Sequence, residues 1–205
     1  MAYVVVRLYS GTGARTAEQL AALAIDELGP KLAGGPGFTR YATIVMADGR
    51  YGSFSAYESQ DAARRGQQIA TEWVKGHSAM QSGKLDETLE GEVIYAEQGS
   101  VPMKGGLHGM MRLYTSSAPT GEVKEAFEKE ASSIIRGLTG LARYTVAKLT
   151  DGRIGIFNSF DTQENARKSS EEAKKLRGTS GTAIGRLLPS DPQIVEGRLI
   201  GVYPK

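Results

Sequence analysis

The chain alternates between strand-like and helix-like hydrophobic spacing in one order, and then runs through that order again. Residues 3–9, Tyr-Val-Val-Val-Arg-Leu-Tyr, form a short valine-rich apolar run of strand length. Thr16 then offers an N-cap, and Leu20, Leu23, Ile25, Leu28 and Leu32 fall at helical spacing. Gly34-Gly35-Pro36-Gly37 ends that helix. Two strand-like stretches follow on either side of Asp48-Gly49, a dipeptide expected to close a tight hairpin because both central positions take positive φ cheaply. A second helix is expected from Gln60 to Met80, and a last strand holds Glu92-Val93-Ile94-Tyr95.

The second half repeats each step. A strand is expected over Gly109 to Tyr114, and a helix from Thr120 carries Val123, Phe127, Ala131, Ile134 and Ile135 before Gly137 to Gly140. A hairpin at Asp151-Gly152, a helix from Thr162 to Arg177 and a strand at Leu199 to Val202 complete it. Residue identities agree as well as pattern. Arg7-Leu8-Tyr9 recurs as Arg112-Leu113-Tyr114, and Arg40-Tyr41 as Arg143-Tyr144. Asp48-Gly49-Arg50 recurs as Asp151-Gly152-Arg153, Ala63-Arg64 as Ala166-Arg167, and Glu90-Gly91 as Glu196-Gly197. Ordered matches at a nearly constant offset make an internal duplication.

The repeats are placed at 1–97 and 108–205, with 98–107 as a Gly-rich linker. Strand, helix, hairpin, helix, strand is the split βαβ plan of a ferredoxin-like unit. Its helices cover one face of an antiparallel sheet, and an apolar bare face needs a partner. The expected fold is therefore α+β: two ferredoxin-like βαββαβ repeats whose sheets pack into an intramolecular α/β barrel.

Composition narrows the chemistry. With no cysteine there is no disulfide framework, thiolate metal site or cysteine nucleophile, and two histidines leave little for a metal centre. No metal and no cofactor is expected. The formal net charge is +2, with basic and acidic residues interspersed, so a nucleic-acid partner has no electrostatic support. No apolar run approaches the ~20 residues of a membrane span, and the N-terminal residues read as a strand rather than a leader. No membrane partner and a cytoplasmic location are expected.

The sequence resembles the antibiotic-biosynthesis-monooxygenase-like domains of the dimeric α/β-barrel superfamily, in tandem. The resemblance rests on Val4 to Tyr9, Pro36-Gly37-Phe38, the Asp48-Gly49 hairpin, Ala70-Thr71-Glu72-Trp73-Val74 and Glu90-Gly91-Glu92-Val93. Copy two carries it in weaker form, with Pro189, Pro192 and Glu196-Gly197 before its last strand. It implies a barrel closed within one chain and leaves room for a further homodimer. It also implies cofactor-independent monooxygenase-like chemistry on a small aromatic or apolar substrate. The alternative is a non-catalytic binding or structural protein of the same fold, because fold alone does not fix function. In the catalytic members an Asn on the first strand and a Trp on the second helix assist, and haem degraders add a helical His. Neither first strand here has an Asn.

The candidates for a ligand pocket are Trp73, His77, Tyr9, Tyr41 and Phe54. Trp73 and His77 stand four residues apart on the helical face of Ala70 and Val74, which points to the sheet. Packing for Trp73 and a helix-end role for His77 are the competing structural accounts. Tyr9, Tyr41 and Phe54 recur as Tyr114, Tyr144 and Phe157, which argues first for architecture. Arg7 and Arg112 lie in first strands that otherwise want burial, and Glu92 on the last strand is the expected partner of Arg7. Gly11-Thr12-Gly13 lacks the third glycine and the downstream acid of a dinucleotide fingerprint, so nucleotide binding is rejected.

Overall fold

Thr16 opens the first helix as its position predicts. Its hydroxyl accepts from the Gln19 N–H at 3.2 Å, and the Gln19 side chain accepts from the Thr16 N–H at 3.0 Å. This reciprocal capping box satisfies two of the free amide donors at the helix start. The computed structural model, which describes residues 1–204, continues from there as the duplicated pattern predicts. The first copy contains β1 (Tyr3–Ser10), α1 (Ala17–Leu23), α2 (Gly29–Ala33), β2 (Phe38–Met46) and β3 (Tyr51–Tyr57). It ends with α3 (Gln60–Gly76), the short α4 (Ser78–Gln81) and β4 (Lys84–Gln98). The second contains β5 (His108–Tyr114), α5 (Thr120–Ala126), α6 (Ser132–Arg136), β6 (Leu141–Leu149) and β7 (Ile154–Phe160). It ends with α7 (Gln163–Gly178), α8 (Ala183–Leu187) and β8 (Gln193–Tyr203).

The strands follow the hydrogen-bonded order β1-β3-β2-β8-β5-β7-β6-β4, which closes as a barrel within one chain. Every register given for a pair is antiparallel, with β1 between β3 and β4 and β7 between β5 and β6. Two compact units make up the chain: Met1–Glu92 with Lys104–Gly106 and Gly197–Lys205, and Val93–Met103 with Leu107–Glu196. Each long last strand thus contributes to both units. Among the described residues no helix is long and apolar enough to cross a membrane.

In the first unit the helix-facing side of the sheet packs Tyr41 and Tyr51 against Leu20, Ile25, Leu28, Leu32 and Trp73. Tyr3, Val5 and Tyr57 meet Ala62 and Ala63 of α3. In the second unit Tyr114, Tyr144, Ile154 and Phe160 pack against Val123, Phe127, Ile135 and Ala166. Each fully buried Leu or Phe contributes roughly 1.5–3 kcal/mol by leaving water.

Both hairpins differ from the expected tight form. Gly49 (φ 84°) and Gly152 (φ 91°) are left-handed, while among the described residues no non-glycine has positive φ, so the preceding aspartates are not. The Gly49 N–H reaches Met46 O at 3.1 Å and the Met46 N–H reaches Arg50 O at 2.9 Å. This is a three-residue loop in which glycine alone takes the left-handed bulge. The aspartate acts as a clamp instead. Asp48 accepts from the Arg50 N–H at 3.1 Å and its Nε at 2.8 Å. Asp151 accepts the same two bonds from Arg153, each at 2.9 Å.

The Arg50 hydrogen bond holds the Asp48 carboxyl below its usual range. Burial pushes Asp151 up, but the bonds from Arg153 outweigh it and the net direction is down. Both clamps therefore stabilise the fold above the unfolded carboxyl value of about 4, and lose that stabilisation as pH falls through the lowered folded value. Their side chains are 52% and 42% exposed, so solvent screening limits each to about 1 kcal/mol or less. Thermal melts of a D48N/D151N variant should lie below those of the unmodified protein at pH 7 and converge with them below about pH 3. Curves that stay parallel at low pH would remove the clamps from the account.

Candidate functional site

The first long helix of each copy is interrupted by a π turn, Ala24–Leu28 in one and Phe127–Ala131 in the other. The wider i→i+5 turn re-aims the side chains that follow it, and such turns gather at functional sites. Each places one glutamate, Glu27 or Glu130, toward its own unit's second helical region. Glu27 Oε2 receives the Trp73 indole Nε1–H at 3.4 Å and lies 2.7 Å from His77 Nε2. His77 Nδ1 stands 2.6 Å from the Trp73 carbonyl, and the two rings are 4.5 Å apart. Both ring nitrogens thus face acceptors of the protein itself, a carboxylate on one side and a carbonyl on the other.

The sequence candidates separate into two groups. Tyr9, Tyr41 and Trp73 share the helix-facing layer of the first unit, and His77 closes its edge. Tyr9 stacks on Tyr51 at 5.1 Å. Phe54 alternates with Ser53 and Ser55, so it lies on the other face of β3 and is not brought to this cluster. Trp73 is 4% exposed and fills its place in the layer. Burial pushes the Tyr51 hydroxyl up to about 12 and Tyr41 higher still, so both remain hydrogen-bond donors rather than bases at neutral pH.

The expected Arg7–Glu92 pair does not form. The β1–β4 register sets Arg7 opposite Thr88 and Glu92 opposite Tyr3, and among the described residues Arg7 has no ion pair. Arg7 instead shares the helix-facing side of β1 with Val5 and Tyr9. It acts electrostatically on Tyr9, Tyr41 and Tyr57.

The second unit keeps the tyrosines and changes the rest. Tyr114 and Tyr144 stand where Tyr9 and Tyr41 do, and Leu176 replaces Trp73. A smaller side chain leaves room. A cleft lined by Tyr114, Phe127, Tyr144, Ile156, Leu176 and Ile184 has a water-accessible volume of about 30 Å³, within about 450 Å³ of empty space that includes its mouth. Glu130 accepts from the Ala183 and Ile184 N–H groups at 2.9 and 3.1 Å, and so fixes α8 beside the cleft.

Behind Ser169, which lines the cleft, Arg112 is 1% exposed and donates from Nη2 to Ser169 Oγ at 3.1 Å and Ser170 Oγ at 2.8 Å. With its amide turned so that both groups are satisfied, Asn158 accepts from Arg112 Nη1 at 3.0 Å and donates to Met110 O at 3.1 Å. Arg177 lies over the Tyr114 ring at 5.4 Å and binds Ser190 O at 2.6 Å and Asp191 at 2.9 Å. Sequence reasoning singled out Arg112 but missed its partners and Arg177. The available signals were Asn158 in an otherwise apolar strand and the Ser169-Ser170 pair within a charged helix.

Antiparallel order, helix placement and the duplicated layer define the fold as an α/β barrel of the dimeric type, built in tandem. Its solved likenesses agree. An anthrone oxidase-like protein superposes with a TM-score of 0.63 at 11% identity, over 98% of this chain and 92% of its own. A protein from Lactobacillus acidophilus thought to be a monooxygenase gives 0.65 at 9%, over 97% and 95%. A mutant chlorite dismutase from Candidatus Nitrospira defluvii gives 0.65 at 8%, over 97% and 91%. At such identities the likeness is one of fold. No family model and no curated protein matches the sequence.

Proposed function

We propose that the chain binds a small aromatic or apolar molecule in a helix–sheet layer and oxygenates it without a cofactor, in the manner of monooxygenase-like α/β barrels. The observation that carries this reading is the cleft against Tyr114 and Tyr144, at positions equivalent to Tyr9 and Tyr41. A mostly apolar wall with a few convergent donors is the common form of a small-molecule site. The fold's likeness to an anthrone oxidase-like protein suggests a substrate with an acidified ring CH2. In that reaction CH2 and O2 give C=O and H2O, and the substrate supplies all four electrons. Tyr144 in the cleft wall would hold the substrate oxygen, and Tyr41 is its equivalent in the first unit's own layer, where Trp73 forms the wall.

A second reading, binding without turnover, draws support from His77, whose two nitrogens are both engaged. Oxygen uptake with anthrone separates the two. The first reading expects one O2 consumed per anthrone, above the uncatalysed rate, and the second expects binding with no added uptake. Leu176→Trp should fill the cleft and abolish both binding and uptake, at an overpacking cost of about 1–3 kcal/mol. If anthrone neither binds nor turns over, or if Leu176→Trp leaves both intact, this site is excluded.

A further inference from the structure

The helix-facing side of β3 is built from hydroxyls, and that of its counterpart β7 carries none. Side chains two residues apart share a face of a strand, so Tyr51, Ser53, Ser55 and Tyr57 look toward the helices of the first unit. At the same places β7 has Ile154, Ile156, Asn158 and Phe160. A row without hydroxyls therefore builds the same layer, and burying hydroxyls in its stead is costly unless each finds a partner. Two do not. Ser55 Oγ, in a residue 1% exposed, and Tyr51 Oη are buried without a hydrogen-bond partner. Ser55 stands near enough to Tyr57 to ease ionisation of that phenol, yet makes no bond of normal geometry with it. Glycines make room for the phenols. A Cβ at Gly66, inside α3, would overlap the Tyr57 hydroxyl, and one at Gly83 would overlap that of Tyr51. Glycine is a poor residue for a helix interior, and the second copy, with Phe160 in place of Tyr57, has Ser169 there.

Arg7 enters this row from β1. The strand registers set it between Ser53 and the exposed Thr88, with Thr43 beyond Ser53, all on the helix-facing side. Its charge acts on Tyr9, Tyr41 and Tyr57, which places the guanidinium among their hydroxyls. Arg7 is half-buried, and among the described residues its side chain has neither an ion pair nor a hydrogen bond. The nearby acids are engaged: Glu90 accepts from Gln67 at 2.6 Å, and Glu27 faces Trp73 and His77. Thr88 marks the solvent side of the row, so Arg7 is reached from water. Arg112, by contrast, is enclosed and bonded to Ser169, Ser170 and Asn158. A guanidinium only donates, and a phenol or serine hydroxyl without a partner has a donor to offer. Such a set is complementary to a negative group that only accepts.

We propose that the first unit binds a small carboxylate in this row, with Arg7 supplying the charge and the Ser55 hydroxyl a second donor. The site stands apart from the cleft of the second unit, and neither depends on the other. Charge-assisted bonds of this kind are about twice as strong as neutral ones.

Acetate, its neutral isostere acetamide, and chloride at matched ionic strength test it. Each is titrated into the isotope-labelled full chain and followed by NMR at the backbone amides of Ser53 and Ser55 and at the Arg7 Nε–H. Acetate should shift these signals saturably and bind at least tenfold more tightly than acetamide, while chloride should leave them in place. Arg7→Gln should weaken acetate at least tenfold, read at the serine amides. Ser55→Ala should weaken it at least threefold without lowering the melting temperature, because this hydroxyl has no bond within the protein to lose. Ser55→Ala decides the matter if Arg7→Gln does not fold. Equal binding of acetate and acetamide, a response that chloride reproduces, or no saturable response overturns the proposal. Acetate binding that survives both variants places the anion elsewhere and overturns it too.

Discussion

Trp73→Ala should destabilise the protein by about 3–5 kcal/mol, the range for removing a large buried aromatic side chain. For a chain of this length the melting temperature should fall by roughly 6–20 °C. Three losses add together. The indole is 4% exposed within the first unit's layer, so its removal leaves a cavity among Leu20, Leu28 and Tyr41. Its Nε1–H no longer meets Glu27, and His77 loses the ring it packs against at 4.5 Å. Trp73→Leu should cost less, because it reproduces the residue that the second copy tolerates at Leu176. A melting temperature within about 2 °C of the unmodified protein for Trp73→Ala would mean that the indole is not a packing element.

Gly197→Ala is expected to cost about 2–3 kcal/mol despite adding a single methyl group. A Cβ at Gly197 would overlap the carbonyl oxygen of Val45 and crowd Met46 Cα, both backbone atoms of β2. A flexible side chain could move aside, but a paired strand cannot do so without losing hydrogen bonds. Residues 197–203 of β8 pair with β2 at this place, so the damage should be local at first. Amide exchange at Val45 and Met46 should speed up before that of β1 and β3. Uniform exchange across the first unit would contradict a strand-local cause. The recurrence of Glu-Gly within each last strand thus has a steric reason in the second copy.

The fold was legible because its strongest signals are local. Capping at Thr16, glycine after each first helix and the Asp-Gly-Arg hairpins set the boundaries, and the duplication supplied an independent copy of each. Last-strand length was not legible. The stretch from Lys84 to Glu90 is mostly charged or polar and lies largely exposed, so it lacks the alternation that marks a half-buried strand, yet it pairs with β1. The helix Ala183–Leu187 was hidden for a different reason. Five residues carry no periodicity, and its start is fixed by Glu130, 53 residues away in sequence.

The candidate site was legible only along single elements. Spacing of four residues predicted that Trp73 and His77 share a face, which they do. It could not show Glu27, which reaches them from another helix through a π turn, nor the register that separates Arg7 from Glu92. Arg112 stood out as a charge in an apolar strand. Its neighbours Asn158, Ser169 and Ser170 come from β7 and α7, a meeting that belongs to tertiary structure.

The paired π turns bear on the history of the chain. A turn closed by an i→i+5 bond holds one residue more than the α turn it interrupts, and is the imprint of a one-residue insertion that the helix absorbed. The same imprint lies at Ala24–Leu28 and Phe127–Ala131, at the offset that relates Arg40 to Arg143. One ancestral insertion, already present when the gene was a single copy, explains both. The glutamate it carries then met two fates, a Trp–His pair in one descendant and a helix start in the other. The distorted helix is therefore older than the divergence of the two uses, and the older of the two can be sought among single-copy relatives.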